Sequence, residues 1–353
     1  MYLEKLIDIR FLVVVILILE FFLLIILTYA LIFRRFWVKY RDQRNEKIKE
    51  KISFMIIQCL KEKKLFVDKT ELKKFCFNPN FLSVIEQFDR RLRGGDWEEL
   101  KRSIAENCLM KRAQRWTKSR SWIKRNFSAR CFALSPRKEY EQEILLLIDD
   151  PVFLVRSFAA VAAVDIRSQK GVAKIITQMS HTTGYSYSFY RDIILQSKSK
   201  DVFECVEDLA ANNNNENITL ACLDVLSGIS KVITLPFLRN DLMSSNEAVR
   251  VAAVKVFAHN PQVDSPTVLS KCANDLNENI RALALWGLEY FASEESLKQL
   301  SQALSDSSWI VRSQAAKSLK KMGGLGLNVL EKQNPEKNRP AYEAAQYALN
   351  FDW

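Results

Sequence analysis

The sequence predicts an all-α protein: an N-terminal transmembrane helix followed by an α-solenoid with a period near 31 residues. Three observations carry this reading. One apolar run near the start is long enough to cross a bilayer. No Gly or Pro occurs before Pro79, so nothing interrupts a helix leaving that run. From about residue 118 onward, an Ile/Val-Arg pair and its companion positions return at a fixed interval.

The apolar run is Phe11 to Phe33, 23 residues in which Glu20 is the one Asp, Glu, Lys, Arg or His. As a helix it extends about 35 Å, against a hydrocarbon core roughly 30 Å thick. It ends in FRRFWVKYR rather than in small residues, which points to a retained anchor and not to a cleaved signal peptide. Lys5 and Arg10 before it are balanced by Glu4 and Asp8, whereas Arg34, Arg35, Lys39, Arg41 and Arg44 follow it. The excess of basic residues on the C-terminal side places the N-terminus outside and the body in the cytoplasm, at an inner membrane. Trp37 and Tyr40 fall at the expected interface. A carboxyl group near the bilayer centre is costly unless it meets a partner, so Glu20 is a candidate contact to a second membrane helix.

Residues 34–66 continue as a basic juxtamembrane stalk, and residues 34–51 alone hold eight Lys/Arg against three Asp/Glu. Residues 67–117 are helical by pattern but outside the repeat register, with Asp96 in GGDWEEL as a candidate N-cap. They read as an adaptor into the array at 118–353. The seven cysteines are scattered, odd in number and without a CxxC, which argues against a disulfide framework or a zinc site and for reduced thiols in a helical core.

The array is carried by DPVFLVRSFAAVAAV, SNEAVRVAAVKVF, LNENIRALALWGL and SSWIVRSQAAKSL. Their markers are Arg156, Arg250, Arg281 and Arg312, and single steps of 31 from these reach Arg125 and Thr219. Six positions before the marker stand Ser119, Asp150, Asn213, Ser244, Asp275 and Asp306, all residues that cap helix N-termini. In the second repeat Pro151 would then take the first helical position. Three after the marker stand Ser128, Ala159, Cys222, Ala253, Ala284 and Ala315, small as close helix packing demands. Seven after stand Phe132, Ala163, Leu226, Phe257, Leu288 and Leu319, on the same stripe. The marker arginines themselves are expected to make partly exposed polar contacts. The 63 residues from Arg156 to Thr219 require one more repeat near YSYSFYRDIILQS, and RPAYEAAQYALNFDW reads as a terminal capping helix.

These stretches resemble HEAT-type repeats, in particular the short bacterial form also found in relatives of phycobiliprotein lyases. The resemblance covers about residues 118 to 350. It implies protein–protein scaffolding; some members are lyases, and no bilin-handling residue can be carried over.

No catalytic or phosphate-binding motif accompanies the repeats. The two histidines, His181 and His259, sit in no metal-binding spacing, and GGLG at 323–326 falls at an inter-helix turn. An acid or base that recurs every period is a packing contact, because a catalytic group is needed once. No enzyme activity, cofactor or metal is expected. A different signal lies in residues 107–138, which hold ten Lys/Arg and no acid. Lys111, Arg112, Arg115, Lys118 and Arg120 interleave there with Trp116 and Trp122, a pattern for an acidic protein surface or anionic lipid, and least for nucleic acid. It is equally the pattern of a solvated face whose tryptophans lie in the core. The functional expectation is a membrane-anchored cytoplasmic scaffold that binds a membrane-associated protein. An envelope-polysaccharide synthase is a partner class by analogy alone. A lyase-like enzyme or a binder of anionic lipid is the alternative.

Overall fold

The structure, a computed structural model, describes residues 2–63, 75–76, 78–229, 238–259, 265–291 and 293–351, with side chains from residue 14 onward. The ends of the stalk and the start of the adaptor, at 64–74, lie outside the described residues. Every regular element among the described residues is helical. The chain forms two compact units, Met1–Arg112 and Ala113–Trp353, so the second begins five residues ahead of 118.

In the first unit, α1 (Tyr2–Lys61) is a single unbroken helix, about 90 Å long at 1.5 Å per residue. None of its described apolar residues is buried in the segment that opens the helix: Leu19, Phe21, Phe22 and Leu24 are each more than half accessible. The helix is long and apolar enough to cross a membrane. Its last turns are not a free stalk. Ile52, Ile56 and Cys59 are buried against α2 (Phe81–Arg91) and α3 (Gly95–Ile104), where Phe81, Ile85, Trp97 and Leu100 complete a small core. Asp89 ties α2 to α3 by accepting from Trp97 Nε1 at 2.9 Å and Lys101 Nζ at 2.8 Å. The N-cap of α3 is Gly94, and Asp96 is the second residue of the helix, so the sequence placement of the cap was two residues late. A π turn, Ala105–Leu109, leads into α4 (Met110–Trp116).

One expectation fails here. Cys76 and Cys108 form a disulfide, and Cys59, Cys131, Cys205, Cys222 and Cys272 are free. Folding brings the two Cα atoms to 5.4 Å across 32 residues, within bridging range. Scatter along the sequence says nothing about that proximity.

The second unit is a stack of helix pairs. The first helices are α5 (Trp122–Leu134), α7 (Phe153–Asp165), α9 (Tyr185–Gln196), α11 (Glu216–Ser227), α13 (Glu247–His259), α15 (Glu278–Leu288) and α17 (Trp309–Lys321). The second helices are α6 (Glu141–Ile148), α8 (Gln169–Ser180), α10 (Lys200–Asn212), α12 (Leu238–Asp241), α14 (Ser265–Cys272), α16 (Glu294–Ala303) and α18 (Gly324–Glu331), and α19 (Arg339–Asn350) closes the row. α9 and α10 are the repeat required between Arg156 and Thr219. First helices pack on first helices: α5 on α7, α11 on α13, α13 on α15, α15 on α17 and α17 on α19.

The packing columns explain the stack. Ser128, Ala159, Cys222, Ala253, Ala284 and Ala315 are all fully buried, as are Phe132, Leu226, Phe257, Leu288 and Leu319. A large residue at the first column would push neighbouring first helices apart. At the turn into α18, Gly323 adopts φ +73°, a left-handed conformation that favours glycine.

The proposed capping column sits two residues too early. Each of its six members accepts from the backbone N–H two residues on: Ser119 from Ser121, Asp150 from Val152, Asn213 from Asn215, Ser244 from Asn246, Asp275 from Asn277 and Asp306 from Ser308. These are side-chain turns that precede the helix. The first helices then start at Trp122, Phe153, Glu216, Glu247, Glu278 and Trp309, and Pro151 lies in the bend ahead of α7. Asx residues favour both geometries, so composition alone could not separate them.

Candidate interaction surface

The marker arginines build the frame on which any surface of the array is carried. In all five, one guanidinium nitrogen clasps the two carbonyls of the preceding turn: Arg125 those of Ser119 and Arg120, Arg156 those of Asp150 and Pro151, Arg250 those of Ser244 and Ser245, Arg281 those of Asp275 and Leu276, and Arg312 those of Asp306 and Ser307. The other edge reaches the next repeat. Arg125 pairs with Asp150, Arg250 with Asp275 at 3.6 Å, and Arg281 with Asp306 at 2.8 Å. Arg156 has no acid at the equivalent place and donates instead to the Tyr190 hydroxyl at 3.2 Å. Arg312, in the last full repeat, stacks on Trp309 with 5.6 Å to the ring centroid. These side chains are partly exposed, as expected, and each is a bracing node that makes several contacts.

A second ladder escaped the sequence reading. Asn246 donates to Glu216 at 2.6 Å, and Asn277 donates to Glu247, each joining adjacent repeats. The signal was present as the dipeptide Asn-Glu at 215–216, 246–247 and 277–278, again 31 apart.

The basic segment 107–138 is divided between the two units. In the first unit Lys111 is exposed, while Arg112 is half-buried and donates to the Cys76 carbonyl at 2.6 Å. In the second unit Trp116 packs edge-on against Phe127 at 5.1 Å, with Lys124 Nζ over its ring at 5.5 Å. Trp122, by contrast, is 45% exposed and its neighbour Ile123 64% exposed. Arg115, Lys118, Arg120 and Lys124 are exposed around them. An open cleft of about 500 Å³ between α4 and α6 is lined in part by Arg115, Lys118, Glu143 and Leu146. Of the segment's predicted residues, Arg112 and Trp116 thus serve the fold, and Lys111, Arg115, Lys118, Arg120 and Trp122 face solvent. Ile123 and Lys124 belong with the exposed group and were missed, because an Ile at a helix start ordinarily reads as core. Glu20 is exposed on α1.

Nothing in this arrangement holds a metal: among the described residues no group of three or more His, Cys, Asp and Glu side chains is placed to bind one. Burial pushes the Cys222 thiol up to about 12 and the Cys272 thiol up to about 11, which makes these two poor nucleophiles.

Fold and surface together define a helical-repeat array in one chain with an apolar helix. The family model for HEAT repeats matches residues 265–350, the last part of the array. Solved structures similar to the chain include YibA of E. coli (18% identity, TM-score 0.35, covering 80% of this chain and 96% of that one). An engineered protein matches at 16% identity and TM-score 0.34, with 80% and 93% covered. A mutant of Kap121p matches at 12% identity and TM-score 0.37, with 80% and 42% covered. No curated protein sequence matches the chain.

Proposed function

We propose that the chain is a membrane-anchored, non-enzymatic scaffold, in which α1 fixes the protein in an inner membrane and the HEAT repeats bind a membrane-associated protein partner. The observation that carries this reading is the unburied apolar surface of α1, among its described residues, in the same chain as the repeats. Such a surface is unfavourable in water and calls for lipid or another membrane helix. Repeat arrays present long, regular surfaces suited to protein recognition. The orientation, with the array in the cytoplasm, rests on Arg34, Arg35, Lys39, Arg41 and Arg44. The Cys76–Cys108 disulfide withdraws the support that seven reduced thiols would have lent it.

Glu20 is the one carboxyl group in the apolar segment and is assigned the helix–helix contact. The test is purification of the full chain in mild detergent after cross-linking in membranes. A membrane protein recovered in fixed proportion, reduced in Glu20→Leu and retained in Glu20→Gln, is the expected result. Full chain that washes from membranes in carbonate, or carries no partner in fixed proportion, overturns the reading.

A further inference from the structure

From the geometry around α5 we infer a second membrane contact: the turn 118–121 and the start of α5 form a rigid tip that docks on an anionic lipid surface, with Trp122 and Ile123 entering the interface and Arg115, Lys118, Arg120 and Lys124 meeting the head groups. The inference goes beyond scaffolding and uses that reading only to say why such a surface is close at hand.

Three observations converge on it. The tip is held in shape from behind. The Thr117 hydroxyl donates to the Ala113 carbonyl, Ser119 accepts from Ser121 N–H, and the Arg125 guanidinium clasps the carbonyls of Ser119 and Arg120 while pairing with the buried Asp150. The side chains that this frame projects are an adjacent aromatic and aliphatic pair, exposed by 45% and 64%. Amphipathic aromatic rings are favoured at the bilayer interface, and a rigid tip loses little freedom on docking. Finally, the charge is mostly of one sign. No acid occurs between Glu106 and Glu139; of the acids folded nearby, Asp150 is paired with Arg125, and Glu143 on α6 keeps its charge beside Arg115 and Lys118, so the cations of the tip outnumber it four to one. The cleft beside Arg115 and Lys118 does not include Trp122, Ile123, Arg120 or Lys124; the exposed apolar pair with cations around it suits a broad anionic plane.

The test uses the full chain in nanodiscs of neutral phosphatidylcholine, presented in trans to vesicles containing phosphatidylglycerol. Recovery of protein in discs reports on α1, and co-sedimentation with the vesicles reports on the tip, so the two readings fail separately. Binding to anionic and not to neutral vesicles, weakening with salt, is expected. Replacing Arg115, Lys118, Arg120 and Lys124 by Gln should weaken it at least about a hundredfold, since each basic residue near such a surface is worth roughly fivefold. The pair Trp122→Ser and Ile123→Ser should also weaken it by more than tenfold. All six side chains lie outside the core, so the thermal melts of both variants should match the parent. Lys332→Gln with Lys337→Gln, far along the array, should bind as the parent does. Absence of vesicle binding at low salt overturns the proposal. So does full binding by the Trp122/Ile123 variant, or equally tight binding to soluble polyglutamate, which would assign the tip to an acidic protein.

Discussion

Arg281 in α15 donates from Nε and Nη2 to the two carboxylate oxygens of Asp306, at 2.8 and 2.9 Å, from one repeat to the next. Its remaining nitrogen holds the carbonyls of Asp275 and Leu276 at 2.9 and 3.0 Å. The bidentate geometry needs a planar fork that lysine lacks.

Arg281→Ala should therefore destabilise the array by about 2 to 3 kcal/mol, because it strands a mostly buried carboxylate and frees two carbonyls. Arg281→Lys should recover less than half of that. Ala284→Trp, which overpacks a fully buried position, should cost about as much or more. Thermal melts of the three variants check the ranking. The Arg281 guanidinium and the Ser308 N–H hold the Asp306 carboxyl below its usual range. A depressed folded pKa contributes stability above the unfolded value, and the contribution is lost as pH falls through the folded one. The parent should thus lose more stability than Arg281→Ala between pH 5 and about pH 2.5.

Asp241 behaves in the opposite sense. Burial pushes its carboxyl up to about 6, and its Oδ2 has no hydrogen-bond partner among the described residues. With the folded value raised, the contribution to stability is present below the unfolded pKa and lost as pH rises through about 6. Asp241→Asn should raise the melting temperature at pH 7.5 by about 2 to 4 °C and flatten its dependence between pH 5 and 7. An unchanged pH profile would show that the charge is not costly there.

Gly326 and Gly324 should respond differently to alanine although they are two residues apart. A Cβ on Gly326 would stand 1.9 Å from the Leu319 carbonyl oxygen, whereas one on Gly324 meets nothing within 4 Å. Gly326→Ala should cost about 3 kcal/mol or more, and Gly324→Ala should be neutral or slightly stabilising. Denaturant unfolding of the two variants separates them.

The thiol count gives a direct check on Cys76 and Cys108. Denatured without reductant, the protein should expose five titratable thiols, and after reduction seven. In the native state Cys272, the partly exposed one, should react first and slowly. Seven thiols before reduction would contradict the disulfide.

What the sequence by itself determined is whatever repeats or runs along the chain. The apolar segment from Phe11, the 31-residue register, the buried column from Ser128 to Ala315 and the extra repeat at Tyr185 all follow from periodicity, because a helix converts spacing directly into a face. Only the tertiary structure decided the pairings between distant positions. Asp150 and Asp306 carry the same signal in sequence as an N-cap, yet each closes a turn and receives an arginine from the preceding repeat. Cys76 and Cys108 became neighbours, and Trp116 and Trp122, six residues apart in one basic segment, took opposite roles. Trp116 meets Phe127 and Lys124, while Trp122 opens a helix where no neighbouring repeat covers it. Burial belongs to what the rest of the chain brings alongside a residue, and local sequence does not contain that.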